Sequence, residues 1–151
     1  MPVPSGRRAT GDGAMSRLRY YRDKFEPNRA RPFAGSWAHF ALRAADGTRI
    51  EGTRLDATAP PGTPELAIVL AHGLFANRRL PSQMELAESL TRFGSVWTFD
   101  FRGHGRSAGT CTLGDREALD VAAVTGLARA HSAGRPVVTI GVSMGAAATI
   151  R

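Results

Sequence analysis

Gly141-Val142-Ser143-Met144-Gly145 sets a serine between two glycines. The β-branched run Val137-Val138-Thr139-Ile140 precedes it and Ala146-Ala147-Ala148 follows, a pattern that predicts a strand, a sharp turn and a helix. A turn of this kind lifts the Ser143 hydroxyl above the end of a sheet, while Gly141 and Gly145 let backbone and helix pack closely beneath it. A hydroxyl so placed can attack an ester or amide carbonyl once a neighbouring base takes its proton. The reaction also needs two backbone N–H donors for the oxygen that becomes negative, each worth about 3 kcal/mol in the transition state. Met144, directly after the serine, supplies one of them.

The elements that must position this turn are legible upstream. The run Leu66–Ala71 is apolar without alternation, as in a strand buried on both faces, and it ends at His72-Gly73-Leu74-Phe75. Leu86, Leu90 and Phe93 then fall at i, i+4 and i+7, with Pro81 suited to a first turn and Gly94 to a C-terminal cap, so a helix is expected. Residues 95–99 read as the next strand, closed by Asp100-Phe101-Arg102-Gly103-His104-Gly105-Arg106-Ser107. A second helix is expected from residue 115 to about residue 132, capped by Thr112 or Asp115 and stopped by Gly134 and Pro136. Ahead of these, Ala45-Asp46-Gly47-Thr48 supplies a hairpin turn between residues 37–43 and 49–56, and the proline-rich stretch 59–64 reads as a loop. Strand, helix, strand, helix, strand is a parallel α/β arrangement with right-handed crossovers.

The three strand-end motifs, His72-Gly73-Leu74-Phe75, Asp100-x-Arg102-Gly103-His104-Gly105-x-Ser107 and Gly141-x-Ser143-x-Gly145, together resemble the α/β-hydrolase superfamily. The combination is most similar to the serine-hydrolase branch that contains monoacylglycerol lipases and serine aminopeptidase-like proteins. The resemblance covers residues 37–151 and implies the N-terminal half of an α/β-hydrolase fold: an antiparallel hairpin followed by parallel strands with crossover helices. It implies Ser143 as catalytic nucleophile, with the Leu74 N–H joining that of Met144 in the oxyanion hole. To His72, Gly73, Asp100, Arg102, Gly103, His104, Gly105, Gly141 and Gly145 it gives structural roles; the two histidines hold loops by hydrogen bonding, and Asp100 with Arg102 fixes a turn. The serine argues against the haloalkane-dehalogenase branch, which uses an aspartate there.

In this fold the acid and the histidine follow the nucleophile, yet residues 144–151 contain no Asp, Glu or His. The expected function is therefore carboxylic-ester hydrolysis through an acyl-enzyme, in a chain truncated before its acid and base and inactive by itself. The alternative is a non-catalytic binding module or a half-domain completed by another chain. In either case an exposed sheet edge is expected to promote self-association. The substrate class is a small acyl compound or ester; Leu74, Phe75, Leu80 and Met144 could line an apolar acyl site or equally be core.

Composition narrows the rest. Of a net charge of +7, residues 1–35 hold +5, so basicity belongs to the N-terminal stretch, read as a disordered tail ahead of an incomplete domain at 36–151. Its charges are dispersed among Gly and Pro, and no nucleic-acid partner is expected. No apolar run approaches the ~20 residues that span a bilayer. Arg7-Arg8 lacks a following apolar region, and Cys111 is the only cysteine, so a cytoplasmic location is expected. No cofactor is expected. Gly103 to Ala108 fits a dinucleotide fingerprint, but residues 109–114 separate it from the next helical pattern, and the scattered histidines offer no metal-ligand spacing.

Overall fold

A computed structural model describes residues 31–63 and 65–151; the basic stretch up to residue 30, expected as tail, lies outside the described residues. The strands are β1 (Trp37–Arg43), β2 (Arg49–Leu55), β3 (Leu66–Ala71), β4 (Gly94–Phe99) and β5 (Val137–Gly141), and the helices are α1 (Pro81–Leu90), α2 (Glu117–His131) and α3 (Met144–Thr149). All five strands share one mixed sheet in the order β1-β2-β4-β3-β5. The hairpin pairs Trp37 with Leu55 and Arg43 with Arg49. Its turn is held by the Gly47 N–H on the Ala44 carbonyl (2.8 Å) and by the Thr48 N–H on the Asp46 carboxylate (3.1 Å), a bond that a short acidic side chain is well placed to accept. β2 runs antiparallel to β4, whereas β3 is parallel to both β4 and β5.

The two-residue strand period sorts the core into two layers. Ile68, Leu70 and Val96 pack with Met84 and Ala87 of α1. Val69, Ala71, Trp97 and Phe99 pack instead with Val121, Val124 and Ala128 of α2 and with Met144 and Ala148 of α3. A strand that serves both layers must be apolar at every position, which is why Leu66–Ala71 shows no alternation. Because α1 lies on one face and α3 on the other, the chains leaving β3 and β5 diverge at the carboxyl ends of these neighbouring strands, the place where open α/β sheets bind their ligands. No helix among the described residues is long and apolar enough to cross a membrane.

Several boundaries differ from expectation for identifiable reasons. Phe33, in the stretch assigned to the tail, is buried in the α1 layer, and Arg31 pairs with Glu88 at 2.7 Å, so the chain packs on the domain before residue 36. Phe93 is half-exposed because Thr91–Phe93 forms a 3₁₀ turn, whose tighter winding turns it away from the α1 stripe. α2 starts at Glu117 with Arg116 at its N-cap position, and the Thr112 hydroxyl accepts the Arg116 N–H (2.8 Å) just ahead of the first turn. Glu117 itself, fully buried, reaches back to accept the Thr112 N–H (2.7 Å), the Thr112 hydroxyl (2.7 Å) and the Gly114 N–H (2.8 Å). Burial opposes its charge, yet those bonds hold its carboxyl below the usual range.

Candidate active site

The turn after β5 is strained at one residue. Ser143 has φ 52° and ψ −115°, a backbone conformation that costs a non-glycine residue on the order of 1–3 kcal/mol. Its neighbours impose it: the Val142 N–H donates to the Ala71 carbonyl (3.0 Å) and the Gly145 N–H to the Val142 carbonyl (2.9 Å). The Ser143 carbonyl then accepts the first helical bonds from Ala146 (2.9 Å) and Ala147 (3.1 Å). The side chain is exposed, and its hydroxyl has no hydrogen-bond partner among the described residues.

The flanking glycines are required by space. A Cβ on Gly145 would stand 2.4 Å from the Ala71 carbonyl oxygen and 2.7 Å from that of His72, and one on Gly141 would stand 2.4 Å from the Ala146 nitrogen. These are backbone atoms of the sheet and helix, which cannot swing aside. Gly145→Ala is therefore expected to destabilise the domain by about 1–3 kcal/mol or more. A urea titration would show it as a lower midpoint, and a midpoint equal to the parent's would mean that helix and strand are not in such close approach.

The loop after β3 lies directly against this turn: the Cβ position of Gly73 is 3.5 Å from the Ser143 Cβ and from the Val142 carbonyl. The N–H groups of Leu74, next after Gly73, and of Met144, next after Ser143, have no acceptor among the described residues. An exposed hydroxyl in such a turn can receive a carbonyl carbon at its oxygen.

The histidines are placed otherwise. His72 is fully buried; its Nε2 accepts the Phe101 N–H (3.0 Å) and its Nδ1 donates to the Gly73 carbonyl (2.7 Å). Burial, helped by neighbouring His104 and Arg78, pushes its pKa down to about 3, so the ring is neutral at physiological pH. His104 faces two carbonyl oxygens, that of Arg102 at 3.0 Å and that of Leu74 at 2.5 Å. His39 on β1 meets Glu51 at 2.8 Å, and His131 lies 2.9 Å from the Leu127 carbonyl. No histidine among the described residues is bonded to Ser143.

Asp100 and Arg102 hold the loop after β4 through different partners. The buried Asp100 carboxylate accepts the backbone N–H groups of Arg78 (2.8 Å) and Arg106 (3.0 Å) and pairs with the Arg78 guanidinium. Gly105 sits over that carboxylate, where a Cβ would come within 2.1 Å of its oxygen, and Gly103 packs against the Cys111 backbone nitrogen at 2.5 Å from its own Cβ position. Arg102 turns the other way, to Asp120 (2.7 Å) on α2 and Asp46 (2.7 Å) in the hairpin turn. Burial works against its charge, and the two carboxylates outweigh that and raise its pKa. Arg78, Asp120, Asp46 and Glu117 are thus the residues that sequence reasoning missed. For Asp120 and Glu117 a signal existed, since both are acids within the helix that covers the core.

Cys111 places its sulfur 3.8 Å from that of Met144, beside the strained turn, but burial pushes the thiol up to about 11 and keeps it protonated. No group of three or more His, Cys, Asp or Glu among the described residues could hold a metal ion.

A model of the alpha/beta hydrolase family matches residues 68–151. No curated protein matches the chain by sequence. Among solved structures, an esterase of Pyrococcus furiosus is similar at 27% identity and a TM-score of 0.65, over 79% of this chain and 44% of that one. A second crystal form of the same esterase aligns with 97% of this chain and 52% of its own, at 25% identity and a TM-score of 0.66. An α/β serine hydrolase without a lid from Xanthomonas campestris shares the fold, at 23% identity and a TM-score of 0.62, over 80% of this chain and 57% of that one. The chain spans about half the length of the solved structures it matches.

Proposed function

The chain belongs to the alpha/beta hydrolase family, and on that premise we propose that it carries the nucleophile and the oxyanion donors of a serine esterase. The observation behind this reading is Ser143, an exposed residue at φ 52° between strand and helix, with the Cβ position of Gly73 3.5 Å from its own Cβ and with the N–H groups of Leu74 and Met144 unaccepted among the described residues. Attack of its oxygen on an ester carbonyl forms the acyl bond and expels the alcohol, while a histidine carries the serine proton to the leaving oxygen. Water then cleaves the acyl-enzyme, releasing the carboxylic acid and restoring the serine. The Leu74 and Met144 amides bind the oxyanion in both steps. Similarity to the Pyrococcus furiosus esterase at 27% identity supports an ester as the bond cleaved.

The acid and the histidine, in this reading, come from chain beyond Arg151 or from a second chain. The ring nitrogens of His72 and His104 face backbone groups, and the Asp100 carboxylate is taken up by the Arg78 and Arg106 donors. β5 pairs only with β3 among the described residues, which leaves an edge open for a further strand. The 151-residue polypeptide by itself is expected to turn over p-nitrophenyl esters no faster than buffer and to run larger than a monomer in size-exclusion chromatography with light scattering. Turnover abolished by Ser143→Ala in that same polypeptide would show instead that its base is already present.

A further inference from the structure

Leu113 is an apolar side chain that the fold holds at a cost and leaves in water. Its φ of 58° lies in the left-handed region, which glycine adopts freely and a leucine does not. The side chain is 69% exposed, so burial does not offset that strain. A single exposed leucine is ordinary, but a strained residue persists only where its surroundings over-determine it. Here the hold comes from Glu117, fully buried on α2, whose carboxylate accepts the N–H groups of the residues on either side, Thr112 (2.7 Å) and Gly114 (2.8 Å). The Thr112 hydroxyl adds a third bond to the same carboxylate at 2.7 Å. The clamped loop lies along α3, the helix that begins at the nucleophile. Cys111 Sγ is 3.8 Å from Met144 Sδ, the Cβ position of Gly114 is 3.9 Å from the Ala147 Cβ, and Asp115 pairs with Arg151 at 3.3 Å. Leu113 therefore sits between a contact with the residue next to Ser143 and a contact with Ala147, four residues beyond it and about 6 Å along the helix axis.

We propose that Leu113 is a specificity-determining residue: clamped beside the first turn of α3, it is an apolar wall for the acyl chain of an ester that reacts at Ser143. The proposal rests on the esterase reading above. The acyl group, unlike the alcohol, stays bonded to the Ser143 oxygen in the acyl-enzyme, so a wall at a fixed distance along α3 selects acyl chains by length. An acetyl group ends one carbon beyond its carbonyl and falls short of that wall. A chain of eight carbons reaches it and exchanges water for apolar contact.

The test is made in the assembled enzyme, with its acid and histidine in place, on p-nitrophenyl acetate and p-nitrophenyl octanoate. Leu113→Gly is expected to lower kcat/KM for the octanoate by about tenfold and for the acetate by less than about twofold. Leu113→Met, apolar and of similar volume, is expected to stay within about threefold of the parent on both esters. The urea midpoint of Leu113→Gly should equal or exceed the parent's, because glycine accepts the positive φ without strain. An octanoate-to-acetate ratio within about twofold of the parent's in the glycine variant would overturn the proposal, and this includes an equal loss on both esters, as contact with their common alcohol would give. So would a methionine variant as impaired as the glycine one, or a lowered urea midpoint, which would make Leu113 part of the fold's own packing. Turnover that survives Ser143→Ala would instead sink the esterase reading itself, whatever the Leu113 variants do.

Discussion

Ser143→Ala is expected to lower kcat of the assembled enzyme by on the order of 10⁶-fold, the scale on which removal of a triad nucleophile acts. The fold should hardly notice. Alanine keeps the Cβ and therefore the same strain at φ 52°, and the hydroxyl that disappears has no partner among the described residues, so no buried group is orphaned. Stability should stay within about 0.5 kcal/mol of the parent, as for other surface substitutions without a structural partner. The pairing of outcomes is what makes the measurement informative. A large loss of p-nitrophenyl ester turnover with an unchanged urea midpoint assigns the hydroxyl to chemistry, whereas a loss that tracks unfolding, or a loss of less than about tenfold, counts against it. The expected residual rate comes from the Leu74 and Met144 donors and from binding, which the substitution leaves in place.

Asp100→Ala should act on stability in the opposite proportion. Its carboxylate is fully buried, pairs with an Arg78 guanidinium that is itself only 2% exposed, and accepts two backbone N–H groups from separate loops. Removing one partner of such a pair leaves the other charge in a site built for two, at a cost of about 3–5 kcal/mol. Against a total of ~5–15 kcal/mol for a domain, that is a large fraction. Asp100→Asn, which retains one acceptor oxygen and loses the charge, should fall between Asp100→Ala and the parent. The check is the urea midpoint of the three proteins under one condition; equal midpoints for the alanine variant and the parent would show that the pair contributes nothing net. The same substitution would be felt at β2 through Ser107, whose hydroxyl donates to the Asp100 carbonyl (2.5 Å) and accepts the Glu51 N–H (2.9 Å).

These two residues also mark how far the amino-acid order can be read. Ser143 was legible because everything that defines its setting is local: a β-branched run, two glycines and an alanine run within about three helical turns of each other. The strands and helices were legible for the same reason, since side-chain periods of two and 3.6 are properties of adjacent residues. The ends of α1 and α2 were less so. A 3₁₀ turn at Thr91–Phe93 and a glutamate that reaches back to Thr112 and Gly114 are set by how the segments settle on the sheet, and several cap arrangements are open to the same residues.

By itself the chain's order determined a parallel α/β core, three chemically distinct strand ends and a serine in a sharp turn. Only the tertiary structure decided which groups meet there. It pairs Asp100 with Arg78, 22 positions away, while Arg102 goes to Asp120 and, across 56 positions, to Asp46. It also turns His72 into a neutral donor toward Gly73 by offering the Phe101 N–H from 29 positions away. The physical reason is that charge and hydrogen-bond partners are chosen by distance in space. A sheet ordered β4-β3-β5 brings three loops to one end of the strands, and no local period encodes which side chain of one loop will lie opposite which donor of the next.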